Sequence, residues 1–366
     1  MKQVCLLCER TKLDANLYCQ ETFCPAEMSP TVLDYGEWVG DIEIVKPIMV
    51  LRSAVLYKAT HQNKTVFLKV AHPGEENKER LKREAEFLRD MQLRGEQHRY
   101  LPKLLPPYVN TTLHKDEQPY GRIVLQGHLL YFYLFEAFDG EPLRDVITQN
   151  PQLWIFHVGW LMISVSSAVA YMQSKGSFHY AISPETVLVR FDDDPSAPRV
   201  LLMDLGIACT KDELRDSWYR FFVPPAYTAP ELIGKGAPPA SYATDVYGLG
   251  LVLYELLVGE PAYTFKLSND ADVFNAIMRM NRTRMNRSED LPQVAQIAVR
   301  AVSQEPGRRF QNAVEFVQEL EGYFGKVPAI KKSRIPSLHT ILRAVAILLG
   351  LGFIIALIIT FAPWAA

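Results

Sequence analysis

The first residue pair that could do chemistry begins with a lysine inside an apolar segment. Lys69 lies in Val-Phe-Leu-Lys-Val-Ala, which reads as a strand, and Glu84 follows fifteen residues later within a helical pattern. A strand lysine with a helix glutamate can hold nucleotide phosphates and fix the helix against the sheet. A lone lysine in a strand more often faces solvent. A nucleotide-binding role for this pair therefore depends on the other motifs of the chain.

A second group with chemical potential lies at the start of the chain, where four of the five cysteines occur. Cys5-x2-Cys8 and Cys19-x4-Cys24 are two close pairs separated by ten residues, and two such pairs can form a tetrahedral thiolate site. We expect residues 1–30 to hold structural zinc, because so short a segment cannot build a core. Disulfides are the alternative, and Cys24-Pro25 resembles the second knuckle of small zinc ribbons that precede signalling domains in bacterial proteins.

The elements that must position these residues change in type along the chain. Short strand patterns dominate from Trp38 to Glu136, interrupted by one helix pattern whose apolar residues recur every three or four positions over 79–91. Beyond Leu143 the patterns are mostly helical. A strand-rich part followed by a helix-rich part predicts an α+β fold with two lobes.

Composition and charge exclude several classes. The 366 residues are 48% hydrophobic and 22% charged, which rules out a disordered or fibrous chain. Lys+Arg 39 against Asp+Glu 41 leaves a net charge of −2, without the basic excess that nucleic-acid binders usually show. We therefore expect no nucleic-acid partner.

The C-terminal segment has the composition of a membrane anchor. Residues 344–362 form an uncharged apolar run long enough to cross a hydrocarbon core. Lys331, Lys332, Arg334 and Arg343 precede the run, so the positive-inside bias places the N-terminal domains in the cytoplasm. We predict a juxtamembrane linker at 326–340, a transmembrane helix at 341–362, a single-pass protein of the cell membrane and no N-terminal signal peptide.

The middle of the chain carries five further motifs in a fixed order. They are HYAISPETVLV (179–189), VLLMDLGIA (200–208), PAYTAPEL (225–232), ATDVYGLGLVLYELLVGEPAY (243–263) and EPGRRF (305–310). Their order and spacing resemble the eukaryotic-like serine/threonine protein kinase family, especially its membrane-anchored bacterial branch. The resemblance covers about residues 40–325 and implies a small β-rich N-lobe (about 40–136) and a larger helical C-lobe (about 137–325).

The resemblance assigns roles to residues that hold the fold and a nucleotide. Lys69 matches the lysine that contacts the α- and β-phosphates, Glu84 matches its helix partner, and Asp204 matches the magnesium-binding aspartate. Glu136 matches the first residue of the hinge between the lobes. Phe135, just before it, matches the residue that limits the size of the nucleotide pocket. ATP and magnesium are the cofactors implied.

Three further family positions are structural. Glu231, in Ala-Pro-Glu, is expected to pair with Arg309, and Asp245 to bond the backbone of the catalytic loop.

The positions that carry phosphoryl transfer depart from the family pattern. The family loop H-R-D-L-K-P-E-N is here His-Tyr-Ala-Ile-Ser-Pro-Glu-Thr, so Ala181 replaces the catalytic-base aspartate. Ser183 replaces the lysine that steadies the transferred phosphate, and Thr186 replaces an asparagine that binds metal. The family threonine that bonds this aspartate and lysine is also lost, because Gly-Thr-Pro reads Val-Pro-Pro at 223–225.

The glycine-rich loop that covers nucleotide phosphates in the family is missing as well. Residues 49–56 read Met-Val-Leu-Arg-Ser-Ala-Val-Leu, with Met49, Leu51 and Ala54 at the three glycine positions. Side chains at these positions obstruct the close approach of backbone to phosphate that glycine permits. We therefore expect weak ATP binding or none.

Together these losses favour a membrane-anchored pseudokinase that signals or scaffolds through contacts with an unidentified protein partner or client kinase. The alternative is a serine/threonine kinase with residual or unconventional transfer that uses Lys69, Glu84 and Asp204. A relative of small-molecule or lipid kinases is a third possibility, disfavoured by the intact Ala-Pro-Glu segment and Asp245.

Overall fold

The structure is a computed structural model of the 366-residue chain. It describes residues 2–4, 11–12, 31–105, 118–125, 127–192, 196–205, 210, 223–233, 239–263, 269–286, 290–328 and 352. The four N-terminal cysteines lie outside these residues, and so does the apolar run at 344–362 except for Gly352. The chain divides into two compact units, Met1–Pro328 and Ala329–Ala366, and the elements below belong to the first.

A small antiparallel sheet comes first in the chain. Its strands are β1 (Lys2–Val4), β2 (Thr11–Lys12) and β3 (Thr31–Val32), in the order β2-β1-β3. Val4 pairs with Thr11 and Gln3 with Lys12, so the backbone on either side of residues 5–10 is held together.

The strand-rich lobe is a six-stranded antiparallel sheet. Its strands are β4 (Trp38–Val39), β5 (Ile42–Val50), β6 (Ala54–His61), β7 (Lys64–Ala71), β8 (Gly121–Leu125) and β9 (His128–Glu136). The spatial order is β4-β5-β6-β7-β9-β8, so β7 lies inside the sheet with β6 and β9 on its two sides. The strand-rich part that the sequence predicts from Trp38 to Glu136 is therefore confirmed.

The alternation of side chains along β7 divides this lobe into two apolar faces. Val66, Leu68 and Val70 point into a core shared with strands β5, β6 and β9. Phe67 and Ala71 point to the other face and join the larger core beneath the sheet. Because side chains alternate along a strand, Lys69 lies on the same face as Phe67 and Ala71.

One helix covers that second face. Helix α1 (Glu75–Leu93) starts with two acidic residues in its first turn, which suit the positive end of the helix dipole. Its buried face includes Leu81, Ala85 and Leu88, at the spacing of one side of a helix. The helix ends in a Schellman motif, in which Gly95 adopts a φ of 69° and the N–H of Glu96 bonds the carbonyl of Met91.

The second lobe is built mainly of helices. They are α2 (Leu143–Gln149), α3 (Ile155–Ser174), α4 (Tyr242–Val258), α5 (Asp270–Met278), α6 (Pro292–Ala301) and α7 (Ala313–Phe324). Strands β10 (Glu141–Pro142), β11 (Val187–Arg190) and β12 (Arg199–Leu202) form a short sheet at the edge nearest the first lobe. The two-lobed α+β arrangement predicted from the sequence is confirmed.

Helix α3 is long and apolar enough to span a membrane, and it alone meets that test among the described residues. Two-thirds of the segment that meets the test is buried inside the lobe, as expected of a core helix. Of residues 344–362, where the sequence predicts the anchor, the structure describes Gly352 alone, so the anchor stays a prediction.

Two arginines tie the helical lobe together, Arg309 fully buried and Arg144 partly buried. Arg309 makes a bidentate pair with Glu231, at 2.7 and 2.8 Å, and also donates to the carbonyls of Ser303 and Ala243. Sequence reasoning expected the Arg309–Glu231 contact. It did not anticipate that Arg144 would bind Glu185, Glu255 and Tyr227 at once. Both arginines satisfy carboxylates that would be costly to bury alone.

Candidate functional site

Three of the four predicted nucleotide-site residues, Lys69, Glu84 and Asp204, meet between the lobes. The Lys69 Nζ atom lies 2.5 Å from Glu84 Oε2 and 2.7 Å from Asp204 Oδ1. The backbone N–H of Leu205 donates to the other oxygen of Glu84, at 2.8 Å. Strand β7, helix α1 and the segment after β12 are therefore joined at one buried point.

A fourth residue, Arg80, completes this group. Its Nη2 atom lies 2.6 Å from Asp204 Oδ2, so each oxygen of Asp204 accepts a bond from a different cation. Arg80 lies four residues before Glu84 on α1, and residues at that spacing share one face of a helix. We call Lys69, Arg80, Glu84 and Asp204 the buried charge cluster.

The buried charge cluster is neutral and almost inaccessible to solvent. Its four side chains are between 0% and 5% exposed, and two cations face two carboxylates. Burial alone would raise the pKa of Asp204, but Arg80 and Lys69 hold it well below its usual range. Burial raises the pKa of Tyr133 well above its ordinary value, and the neighbouring Glu84 carboxylate adds to this shift.

The loop at the glycine-rich position is closed and fixed. The N–H of Leu51 bonds the carbonyl of Ala54 at 2.8 Å, forming a tight turn around Arg52 and Ser53. Leu51 is 6% exposed, and its carbonyl accepts a hydrogen bond of 2.9 Å from His72 Nε2. The apolar side chains that replace glycine are therefore folded into the lobe.

The same loop is tied to the helical lobe by an ion pair. The two terminal nitrogens of Arg52 bond the two oxygens of Asp270, the first residue of α5, at 3.1 and 3.2 Å. A bidentate pair of this kind fixes orientation as well as distance. Sequence reasoning missed this contact because 218 residues separate its partners.

The loop that matches the family's catalytic loop is held in place through its backbone. Asp245 accepts bonds from the N–H groups of Tyr180 at 2.8 Å and His179 at 3.2 Å, as expected from the sequence. Burial raises the pKa of Asp245 to about 6, against the lowering effect of these donors and of Gln173.

The ring of His179 is fixed in its neutral form by two backbone partners. Its Nε2 lies 3.1 Å from the carbonyl of Met203, and its Nδ1 accepts from the N–H of Ala181 at 3.2 Å. Because a carbonyl only accepts, Nε2 carries the single proton of the neutral ring. Burial accordingly lowers the pKa of His179 to about 4.

Two positions of that loop, Ala181 and Thr186, match family residues that take part in phosphoryl transfer. The first has apolar neighbours and the second is bonded to the backbone. Ala181 is fully buried in an apolar cluster with Phe178, Tyr180 and Val223. The Thr186 hydroxyl accepts from the N–H of Ser183 at 3.1 Å and donates to its carbonyl at 2.9 Å. Ala181, which the resemblance matches to a catalytic carboxylate, therefore has apolar neighbours, and the Thr186 hydroxyl bonds the backbone of its own turn.

The remaining predicted residues lie apart from the buried charge cluster or outside the described chain. Glu136, at the end of β9, is about half exposed and pairs with Lys103 at 2.5 Å. The predicted zinc ligands Cys5, Cys8, Cys19 and Cys24 are not described. Among the residues that are described, no three His, Cys, Asp or Glu side chains group as a metal site requires.

The first lobe is an antiparallel sheet covered by one helix, and the second lobe is helical. A Lys–Glu–Asp contact joins the two lobes. This arrangement defines a protein-kinase-like fold. The chain belongs to the protein kinase domain family, which matches residues 52–320. Members of this family use ATP and magnesium, so these are the ligands that a site of this kind would bind.

Curated relatives agree with this membership. A serine/threonine-protein kinase of Drosophila melanogaster is 31% identical over 157 residues, which are 40% of this chain and 19% of the relative. A similar enzyme of Drosophila persimilis is 31% identical over 150 residues. Serine/threonine-protein kinase PkaA of Streptomyces coelicolor is 33% identical over 146 residues, 38% of this chain and 25% of PkaA. The chain thus spans about a fifth to a quarter of the length of these relatives.

We predict that acidification destabilises the protein through His72 and His179. Burial lowers the pKa of both rings to about 4 from 6.5, so between these values the unfolded chain binds more protons. Each histidine then lowers the free energy of unfolding by up to about 1.4 kcal/mol per pH unit as pH falls. Asp245 acts in the opposite direction between about 6 and 3.8, because its pKa is raised in the folded protein.

The histidine effect can be isolated with His72→Gln, whose amide can still donate to the carbonyl of Leu51. Denaturant unfolding from pH 7.5 to 4.5 should show a shallower pH dependence for this variant than for the wild type. Equal slopes would contradict a neutral, buried His72.

Proposed function

We propose that this chain is a pseudokinase that acts through protein contacts rather than phosphoryl transfer. The observation that carries the proposal is Ala181, which stands at the catalytic-base position and is buried among Phe178, Tyr180 and Val223. A methyl group can neither orient a substrate hydroxyl nor accept its proton. The apolar surroundings also disfavour a water molecule or a carboxylate that could replace the base.

Other observations support the same proposal. Thr186, at a metal-binding position of the family, directs its hydroxyl to the backbone of Ser183. Pro224, at the position of the threonine that steadies the catalytic residues, has no hydroxyl and no N–H to offer. Leu51 and Ala54 make the loop above the phosphates bulkier than glycine would. Weak ATP binding or none follows from these features.

Residual or unconventional phosphoryl transfer is the second candidate. It is favoured by the assembled contact of Lys69 with Glu84 and Asp204, which is the arrangement that active kinases require. What argues against it is the lack of a base at 181, since general acid–base catalysis alone contributes about 10²–10⁴-fold.

A transfer assay separates the two candidates. Full-length protein with labelled ATP and magnesium should phosphorylate neither itself nor a generic protein substrate above the level of Lys69→Met, a variant without the phosphate-contacting amine. A known active serine/threonine kinase in parallel confirms the assay. Transfer by the wild type that disappears in Lys69→Met would establish an active enzyme and refute the pseudokinase.

We propose further that the protein is anchored in the cell membrane by residues 341–362, with the kinase-like domain in the cytoplasm beside an unidentified protein partner or client kinase. The uncharged run and the preceding basic residues support this topology. Cells that express the full chain should retain it in carbonate-washed membranes, whereas a chain ending at Pro328 should be released. Release of both forms would contradict the anchor.

Structural zinc at Cys5, Cys8, Cys19 and Cys24 is the last part of the proposal. The two cysteine pairs support it, as does the β1–β2 pairing that holds together the backbone on both sides of the first pair. Reduced protein should contain about one zinc per chain. The double variant Cys5→Ser/Cys8→Ser should lose it, and the matched variant Cys209→Ser should keep it. Metal-free wild-type protein would instead favour disulfides.

A further inference from the structure

Asp204, the metal-binding residue of the kinase family, has both carboxylate oxygens engaged by cations of this chain. Lys69 bonds Oδ1 at 2.7 Å and Arg80 bonds Oδ2 at 2.6 Å, and the exposed fraction of each side chain is 5% or less. A magnesium ion needs carboxylate oxygen at about 2.0–2.1 Å and several waters around it. Neither requirement fits a buried carboxylate whose two oxygens are already bonded.

The charges of the cluster disfavour a divalent cation as well. Lys69 and Arg80 balance Glu84 and Asp204, so the buried group has no net negative charge to attract a metal. An arginine keeps its charge at any pH at which the protein folds. A divalent ion at Asp204 would either displace this guanidinium or lie beside it and be repelled.

Arg80 is also placed by the fold rather than by chance. It lies one helical turn before Glu84 on α1, and Glu84 is held by Lys69 and the N–H of Leu205. The contacts that dock α1 through Glu84 therefore bring Arg80 onto Asp204. The usual second metal ligand is lost too, since the Thr186 hydroxyl bonds its own turn.

We propose that Arg80 occupies the place of the metal ion on Asp204, so that this site excludes divalent cations and receives any nucleotide only as a metal-free polyphosphate. The inference rests on the proposed function, because it explains how the Lys69–Glu84–Asp204 contact persists without a metal. Its consequence is that α1 keeps its inward position with neither magnesium nor nucleotide present.

The experiment measures thermal unfolding of the full chain in detergent, in buffer freed of divalent cations before the protein is added, so that bound zinc is kept. Millimolar MgCl₂ or MnCl₂ is then added or omitted, each with and without millimolar ATP. For the wild type, the midpoint should be the same with and without added metal, whether or not ATP shifts it. A wild-type midpoint that rises in Mg-ATP but not in ATP alone would overturn the proposal.

Removal of the Arg80 charge should make the unfolding midpoint depend on divalent metal. Arg80→Leu and Arg80→Gln leave the cluster with one excess negative charge, so Mg²⁺ or Mn²⁺ should raise their midpoints by a few degrees. Arg80→Gln keeps an amide donor for Asp204 and serves if Arg80→Leu does not fold. Addition of Asp204→Asn should abolish the metal effect, because it removes the ligand.

Matched controls complete the test. Arg80→Lys should stay insensitive to metal, and so should Arg89→Leu, which removes an arginine of the same helix that pairs with Asp90. Folded Arg80→Gln without any metal response would overturn the proposal. Phosphate transfer by the wild type in the assay above would defeat the pseudokinase, whereas a metal response of the wild type without transfer would defeat only this inference.

Discussion

The structure depends on one constraint, which is that two carboxylates buried between the lobes must each meet a positive charge. An unpaired buried carboxylate is strongly destabilising, whereas a fully bonded one can be tolerated. Lys69 and Arg80 meet this requirement for Glu84 and Asp204. The four residues come from a strand, a helix and the segment after another strand, so their charge balance fixes how these elements lie against each other.

The family positions that match and those that differ can be separated by their physical role. Residues that compensate buried charge or hold the backbone keep their partners, as Arg309 does with Glu231 and Asp245 does with the loop around Tyr180. Positions to which the proposed function assigns lost phosphoryl-transfer chemistry are apolar here, as at Ala181 and Pro224. Loss of a partner in the first group would leave a buried charge unpaired and lower the stability of the protein, whereas the second group carries no such charge.

The sequence predicted much of this arrangement because most of its signals are local. Short strand patterns indicated the strands between Trp38 and Glu136, and the three-to-four spacing of Leu81, Ala85 and Leu88 indicated α1 within a few residues of its ends. The site residues came from motif resemblance. Arg80 was missed, although its spacing from Glu84 placed it on the same helix face, because its partner lies 124 residues away. The Arg52–Asp270 pair left no local signal at all.

The long separation within the buried charge cluster has a consequence during synthesis. The ribosome delivers Lys69, Arg80 and Glu84 well before Asp204, which follows Lys69 by 135 residues. Domains tend to fold from the N-terminus as the chain emerges, at about 5–20 residues per second. Until Asp204 arrives, the nascent first lobe therefore carries two cations against one carboxylate. The complete docking of α1 must wait for the segment after β12, so the order of translation delays closure of the two lobes.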